Sequence, residues 1–353
     1  MILDGSQPDS IAAAARALRG GALLGLPTET VYGLAADASS DTAVAQIFAA
    51  KGRPNDHPLI VHVADAAGIA HFAREVPAFA QALVDAFWPG PLTLILPRLV
   101  GVATAATGGQ DSVGLRCPAH PVAHAVLQAC ATPGDGPALG GPPVWGLAAP
   151  SANRFGRVSP TTAQHVQDEL GEALLVLDGG PCVVGIESTI VDCTRGVPVL
   201  LRPGAITRAQ ISAACGLQPL SKEDLPALTP RASGTLDAHY APTAKVRLMD
   251  ARALQTGLDL LEFPTIVFLQ SGYNVYSLQQ AARRSWRIGQ KQPVRVIYLG
   301  YANSSQMTCL GLMARKIMVS QSTSGDVPES GLDVLNQDGD SVEVALARQL
   351  VTV

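Results

Sequence analysis

The sequence predicts an α/β fold built around a mixed β-sheet. Hydrophobic residues make up 47% of its 353 residues and charged residues 15%, which is typical of a globular protein rather than a disordered one. Short runs rich in β-branched residues, such as Leu59–Val63, alternate with segments of helical pattern, such as Asp41–Ala50. Because the two types interleave irregularly, the sheet is expected to contain both parallel and antiparallel pairs.

Chemical signals at the ends of the segments define the predicted elements. Asp41 is expected to cap the second helix, which stops at the turn Lys51-Gly52-Arg53-Pro54, and Trp88-Pro89-Gly90-Pro91 stops the third. The predicted helices are Ser10–Arg19, Asp41–Ala50, Pro77–Phe87, Pro121–Ala129 and Thr162–Leu170. The predicted strands are Ala22–Leu26, Leu59–Val63, Leu92–Leu96, Ser112–Arg116, Leu174–Leu177, Ser188–Asp192 and Val199–Leu201.

Charge and hydropathy exclude two broad classes of protein. The formal net charge is −4, so any polyanion must meet a local basic patch rather than a globally basic surface. No apolar run approaches the ~18 residues of a membrane span, so no membrane association is expected. The first residues lack the basic and apolar regions of a signal peptide, and the six scattered cysteines form no C-x-x-C pair. A cytoplasmic location is therefore predicted.

The distribution of proline indicates a junction within the chain. Only Pro264, Pro293 and Pro328 of the 26 prolines follow Pro242. Together with the length, this shift suggests two pieces that meet near residues 243–255.

Six polar clusters stand at strand ends or in turns, where a rigid scaffold can position functional side chains. They are Pro27–Leu34, Lys51–Pro58, Ser112–Pro118, Ala149–Asn153 with Arg157 and Ser159, Gly185–Ile190, and Leu201–Gly204. Together they supply several cations and many neutral donors, whereas no Cys–His pair suits nucleophilic catalysis. The inventory favours a phosphorylated ligand and chemistry by positioning and charge neutralisation. Taken alone, each hydroxyl fits a turn or helix-cap residue better than a ligand contact. Neither a P-loop nor a G-x-G-x-x-G motif is present.

Several segments carry a more specific resemblance. They are PTETVYGLAADA (27–38), KGRPNDHPLIVHV (51–63), FWPGPLTLIL (87–96), VGLRCPAHP (113–121), APSAN (149–153), IESTIVD (186–192) and LLRPG (200–204). In this order they resemble L-threonylcarbamoyladenylate synthases, the YrdC-like family, over about residues 8–215. AHYAP (238–242) and KVRLMDARA (245–253) extend the likeness to residue 253. The resemblance implies a YrdC-like twisted mixed sheet with a large concave cavity.

The resemblance also implies an activity. Members of this family form threonylcarbamoyl-AMP and pyrophosphate from L-threonine, bicarbonate and ATP, and the product serves the threonylcarbamoyladenosine modification of tRNA. Expected partners are therefore these substrates, with Mg²⁺ bridging the phosphates, and tRNA or the downstream tRNA-modifying transferase complex. No residue of the chain is assigned as a metal ligand.

Individual residues acquire expected roles through the same resemblance. Lys51 and Arg53 are expected to hold phosphates and promote catalysis. ATP contacts are implied for Lys51, Asn55, Ser112, Ser151, Asn153, Ser159, Arg202 and Tyr240. Threonine contacts are implied for Thr28, His62, Arg116, Ala149 and Ser188, although His62 also fits a satisfied sheet residue. The Lys51→Ala variant is expected to lose activity and keep its fold, since a lysine in a turn contributes little packing.

The end of the chain suggests a different origin. QTGLDL (255–260) and QAARRSWRIGQ (280–290) resemble late motifs of Swi/Snf-type helicase-like ATPases. The expected organisation is thus a synthase domain over 1–215, a linker and the start of the second synthase domain over 216–253, and a small incomplete α/β helicase-lobe-like segment over 254–353. Without a first lobe, motor activity is not expected.

One alternative function stays open for the synthase-like part, and a second is not favoured. The same fold could bind double-stranded RNA or tRNA without catalysis. A carbamoyl-adenylate activity of the hydrogenase-maturation type would require companion regions that this sequence lacks.

Overall fold

The computed structural model describes residues 1–133, 142–221, 224, 260, 262–269, 291–299 and 311. The chain divides into two units, Met1–Thr243 and Ala244–Val353. The division falls between Thr243 and Ala244. It lies within the segment 216–253, which the sequence assigns to a linker and the start of the second synthase domain. Tyr240 and the motif at 280–290 lie outside the described residues.

Eleven short strands of the first unit form one mixed sheet. They are β1 (Ile2–Asp4), β2 (Leu24–Leu26), β3 (Gly33–Asp37), β4 (Ile60–His62), β5 (Leu92–Pro97), β6 (Ser112–Arg116), β7 (Leu147–Ala148), β8 (Leu175–Asp178), β9 (Thr189–Asp192), β10 (Val199–Arg202) and β11 (Leu220–Ser221). Their order is β1-β8-β2-β3-β7-β4-β6-β5-β9-β10-β11. Parallel pairs such as β4–β6 stand beside antiparallel pairs such as β5–β6. The expectation of a mixed sheet is therefore confirmed.

Helices cover both faces of this sheet. They are α1 (Pro8–Arg19), α2 (Asp41–Lys51), α3 (Ala78–Phe87), α4 (Pro121–Ala131), α5 (Ala163–Leu170) and α6 (Arg208–Cys215), with a 3₁₀ helix at Ala66–His71. Successive residues of β3 point to opposite faces. Accordingly, Ala35 belongs to the core that contains residues of α1 and α4, whereas Leu34 and Ala36 belong to the core that contains residues of the other four α-helices.

The boundaries of α2 determine where the first predicted cations lie. Ser40 caps the helix, because its hydroxyl accepts a hydrogen bond from the N–H of Ala43 at 3.2 Å. The predicted cap, Asp41, is instead the first helical residue. At the other end, Gly52 adopts a left-handed conformation with φ of 60°, which an L-residue rarely adopts. Lys51 thus ends the helix, and Arg53 follows directly after the reversal.

Several elements were not predicted from the sequence. Strand β3 consists of Gly-Leu-Ala-Ala-Asp and β7 of only two residues, so neither carries the β-branched signal on which the predictions depend. Both are buried in the middle of the sheet. Helix α6 was also missed, although Thr207 and Gln210 form a complete capping box at its start.

The described part of the second unit contains one parallel pair of strands. Strands β12 (Thr265–Phe268) and β13 (Arg295–Tyr298) pair in register over four residues. The rings of Phe268 and Tyr298 stack with centroids 5.1 Å apart. Within the described parts of both units, no helix combines the length and the apolar character that crossing a membrane requires.

Candidate functional site

Residues from six separate segments line one hollow of the first unit. They are Thr28, Thr30, Val31, Gly33, Ile60, His62, Arg116, Ala149, Pro150, Ser151, Glu187, Ser188 and Arg202. All five residues expected to contact threonine are in this set, as are two of those expected to contact ATP, Ser151 and Arg202. The structure therefore brings together residues as far apart in sequence as Thr28 and Arg202.

The register of the sheet explains part of this convergence. In the parallel pair β4–β6, His62 lies directly beside Arg116. Alternation along β4 places Ile60 on the same face as His62. The chain after β7 passes the start of β4, where the N–H of Ala149 donates to the carbonyl of Ile60 at 3.0 Å. The main-chain N–H of Ala149 is thus used within the protein.

The guanidinium of Arg116 is held by several protein groups. It forms an ion pair with Glu29 at 2.7 Å and donates to the hydroxyl of Thr30 at 2.9 Å and to the carbonyl of Gly90 at 3.2 Å. The second carboxylate oxygen of Glu29 accepts the N–H of Ala119 at 3.1 Å. These contacts use three of the five N–H donors of Arg116 and fix its orientation. A ligand carboxylate would have to use the other two.

His62 stands beside this ion pair as a neutral ring. Burial lowers the pKa of His62 to about 3, and the charge of Arg116 acts in the same direction. Within the described structure, its buried Nδ1 atom has no hydrogen-bond partner. Since His62 lines the hollow, Nδ1 is a polar atom suited to a ligand.

Thr28 also faces the hollow, but its hydroxyl has local partners. The hydroxyl donates to the carbonyl of Val31 at 2.6 Å and lies 2.9 Å from the hydroxyl of Thr30. These contacts shape the turn between β2 and β3, and through Thr30 they link that turn to Arg116.

Arg202, a second arginine that lines the hollow, is also paired with a carboxylate. Its Nη1 atom forms a short ion pair with Glu187, and its Nε atom donates to the carbonyl of Ser188 at 2.9 Å. The other oxygen of Glu187 accepts the hydroxyl of Ser159 at 2.9 Å. The hydroxyl of Ser188 lies 2.8 Å from that of Thr93 and accepts from Arg202 at 3.1 Å. Ser159 therefore reaches the hollow through Glu187 rather than by lining it.

Lys51 is a buried lysine, which corrects the expectation that it packs little. Only 3% of the residue is exposed. Its ammonium donates to the carbonyl of Ser151 at 2.5 Å and to that of Asn153. Burial lowers the pKa of Lys51 to about 7; the charge of Arg53 acts in the same direction, and Glu187 opposes it. Removing this side chain would therefore leave buried carbonyls behind.

Arg53 lies in the same electrostatic environment. It donates to the carbonyl of Pro58 at 2.9 Å, and its guanidinium carbon lies 5.7 Å from the centre of the Phe155 ring. Burial lowers the pKa of Arg53 to about 10; Glu187 raises it and Arg202 lowers it. Three cations thus interact with the one carboxylate of Glu187.

The remaining predicted residues lie elsewhere. Asn55 is exposed and lines a separate depression with Phe48 and Thr104. Ser112 begins β6, on the same face as Arg116 but about 13 Å along the strand. Asn153 is buried, and its amide donates to the carbonyls of Arg154 and Arg157. These positions fit only a ligand that extends beyond the hollow.

Sequence reasoning missed two carboxylates, Glu29 and Glu187. Both lie inside polar clusters that the sequence marks as candidate sites, Pro27–Leu34 and Gly185–Ile190. The available signal was an acidic residue beside hydroxyls in a predicted ligand site. What the sequence lacked was the pairing of each carboxylate with a particular arginine.

The described residues contain no group of three or more His, Cys, Asp or Glu side chains arranged for a metal ion. The hollow itself encloses about 30 Å³. Typical small-molecule sites are roughly ten times larger or more, so this hollow is too small to enclose a whole nucleotide without movement of its side chains.

Two family models match consecutive parts of the chain. The model Sua5_yciO_yrdC, described as "Telomere recombination", matches residues 16–204. The model described as "Threonylcarbamoyl-AMP synthase, C-terminal domain" matches residues 206–321. The second match includes most of the segment predicted to resemble a helicase lobe. The comparisons therefore do not support a helicase-like fusion, and they assign that segment to the synthase.

Curated relatives carry the same name. The threonylcarbamoyl-AMP synthase of Bacillus subtilis is 42% identical over 246 residues, which cover 68% of this chain and 66% of that protein. The one of Pyrococcus abyssi is 41% identical over 244 residues, covering 67% of each. The chain thus spans about two thirds of the length of these relatives.

A solved structure supports the fold over a longer range. The crystal structure of P. abyssi Sua5 complexed with L-threonine matches with a TM-score of 0.64 and 32% identity, covering 91% of this chain and 90% of that one. The family models and relatives together show that the chain belongs to the Sua5/YciO/YrdC family.

Proposed function

We propose that this protein is an L-threonylcarbamoyladenylate synthase that forms threonylcarbamoyl-AMP and pyrophosphate from L-threonine, bicarbonate and ATP. The observation that carries the proposal is the convergence of Thr28, His62, Arg116, Ser188 and Arg202 on one hollow. Relatives named threonylcarbamoyl-AMP synthase and the similar structure of P. abyssi Sua5 complexed with L-threonine support the same chemistry.

Arg116 and His62 are suited to the amino acid. The fixed guanidinium offers two N–H donors to the threonine carboxylate. A neutral imidazole adds a polar contact through Nδ1 without adding charge. The hydroxyl of Ser188 lies between Thr93 and Arg202, so a ligand atom there meets oriented donors.

Lys51, Arg53 and Arg202 are suited to the phosphates. In the proposed reaction, threonine nitrogen and bicarbonate carbon form a carbamate, with water as the other product. A carbamate oxygen then attacks the α-phosphorus, and the α–β phosphoanhydride bond breaks to release pyrophosphate. Both reactants are anions, so nearby cations lower their mutual repulsion. ATP arrives with Mg²⁺ as a substrate, and the ion is held mainly by phosphate oxygens.

Beyond the hollow, Asn55 and Ser112 are proposed to contact more distant parts of the nucleotide. Tyr240 keeps its proposed ATP contact from the resemblance alone, and Asn153 shapes the turn beneath Lys51. The product is proposed to feed tRNA threonylcarbamoyladenosine formation. A cytoplasmic location, double-stranded RNA binding and contact with a transferase complex remain predictions from the sequence. So do the domain limits at 215 and 253.

The test is pyrophosphate release by the full chain with ATP, L-threonine and labelled bicarbonate. Release that requires both threonine and bicarbonate is expected, with the label in an adenylate. Arg116→Lys should raise the KM for threonine far more than that for ATP, since a point charge cannot replace the guanidinium fork. The exposed Arg157→Lys variant is the matched control. Binding of tRNA without threonine-dependent release would favour the RNA-binding alternative and contradict the proposal.

A further inference from the structure

Glu187 lies where the proposed function would place a phosphate group of the ligand. Its carboxylate lines the hollow and pairs with Arg202. It also interacts electrostatically with Lys51 and Arg53, the other two cations assigned to phosphates. A carboxylate at this position lowers the positive potential that a triphosphate would meet.

The support of Glu187 differs from that of the other buried carboxylate, Glu29. Both oxygens of Glu29 are held, one by Arg116 and one by the main-chain N–H of Ala119. The hydrogen-bonding partners described for Glu187 include two side chains instead, Arg202 and the hydroxyl of Ser159. Side-chain contacts of this kind can exchange for others when a ligand offers a stronger partner.

The surrounding chain also places Glu187 at the border of a surface loop. Val183 and Ile186 of the segment before it are 88% and 54% exposed, whereas Ser188 after it is buried. The side chain of Glu187 can therefore turn outward without opening the core. The small volume of the hollow requires some such movement before phosphates can enter.

We propose that Glu187 is an exchangeable internal counter-anion: it neutralises Arg202 in the free protein, yields this arginine to a nucleotide or pyrophosphate phosphate, and re-forms the pair when pyrophosphate leaves. The proposal rests on the proposed function, since it assumes that the three cations bind phosphate. Its consequence is that Glu187 weakens phosphate binding and thereby favours product release. A purely structural Glu187 would do the opposite, because its loss would misplace Arg202.

The experiment measures binding of magnesium pyrophosphate, and separately of ATP, to the full chain by calorimetry. Glu187→Gln keeps the shape and one of the two accepting oxygens and removes the charge, and its NH2 group can donate to the hydroxyl of Ser159. It should bind pyrophosphate about five- to tenfold more tightly than the wild type. Glu169→Gln is the matched control, because Glu169 also interacts with Lys51 but contacts Arg154 instead of Arg202. It should change the affinity by less than about twofold.

Equal or weaker binding by Glu187→Gln would overturn the inference, and so would an equally large gain in the control. If either of these results is obtained while the wild type still binds pyrophosphate, only this inference fails and the proposed function stands. A wild-type protein that binds neither ligand would overturn both. Should Glu187→Gln fail to fold, Glu187→Asp provides the same test, since the shorter side chain draws back from Arg202 and should also tighten binding.

Discussion

Phosphate binding to this site should take up a proton, because one of its cations is mostly neutral at alkaline pH. Burial lowers the pKa of Lys51 from 10.5 to about 7. A triphosphate beside the ammonium favours its charged form and raises the pKa again. At pH 8, one unit above the pKa of Lys51 in the ligand-free protein, this lysine is neutral in about nine-tenths of the molecules. Nucleotide binding should therefore take up about 0.9 proton at this pH. At pH 6 the uptake at Lys51 should fall to about 0.1 proton.

Calorimetry in two buffers of different ionisation enthalpy measures this uptake directly. The terminal phosphate of ATP is almost fully ionised at pH 8 and contributes little there. By linkage, ATP affinity should weaken by up to about tenfold per pH unit as the pH rises above 8, until the bound-state pKa is reached. The Lys51→Met variant removes the titrating group and should show neither effect. It also leaves the carbonyls of Ser151 and Asn153 without the ammonium, so its thermal unfolding must be measured in parallel.

An uptake near zero for the wild type at pH 8 would refute the reasoning, as would an equal uptake by a folded Lys51→Met variant. Either result would mean that Lys51 stays charged in the free protein or does not approach the phosphates.

Three further perturbations test other parts of the site. Glu29→Gln should raise the KM for threonine about tenfold or more with little change for ATP, because it removes the charge that orients Arg116; equal effects on both substrates would contradict this role. His62→Asn should make unfolding less sensitive to acid. In the wild type, the unfolded chain protonates this histidine near pH 6.5, whereas the folded chain does not. The free energy of unfolding of the wild type therefore falls by up to about 1.4 kcal/mol per pH unit as the pH drops from about 6.5 toward 3. Gly204→Ala should destabilise the protein by about 1–3 kcal/mol in denaturant titrations, since the added Cβ would lie 2.5 Å from the N–H of Thr189 and 2.8 Å from the carbonyl of Glu187; a neutral result would show that this turn can shift.

The sequence predicted the elements that carry strong local signals. Strand β6 was predicted with its observed limits, Ser112–Arg116, because β-branched and apolar residues end at a polar turn. The central strands β3 and β7 escaped prediction, since alanine and glycine become strand residues here only through their neighbours in the sheet. Propensity cannot report on pairing between segments more than a hundred residues apart.

In the candidate site as well, local sequence motifs were predictable and contacts between distant segments were not. The motifs supplied residue types and the resemblance supplied roles, so the amino-acid sequence alone was enough to select Arg116 and Arg202. Their protein partners could not be selected in this way. Glu29 lies 87 residues from Arg116, and only the order of strands in the sheet brings the two within 2.7 Å. Lys51 likewise has the sequence pattern of a turn residue, whereas the end of α2 buries it against two carbonyls.

Each arginine of the hollow is already paired with a carboxylate of the protein. These pairs lower the positive charge that an anionic ligand would meet. A cluster of cations without such carboxylates would bind pyrophosphate tightly and release it slowly, whereas a fully neutralised cluster would bind it weakly. The two pairs meet these demands differently. Under the proposed function, Glu29 would keep Arg116 in one orientation for the carboxylate of threonine. Under the same proposal, Glu187, which contacts the side chains of Arg202 and Ser159, would exchange with phosphates that enter and leave in each turnover.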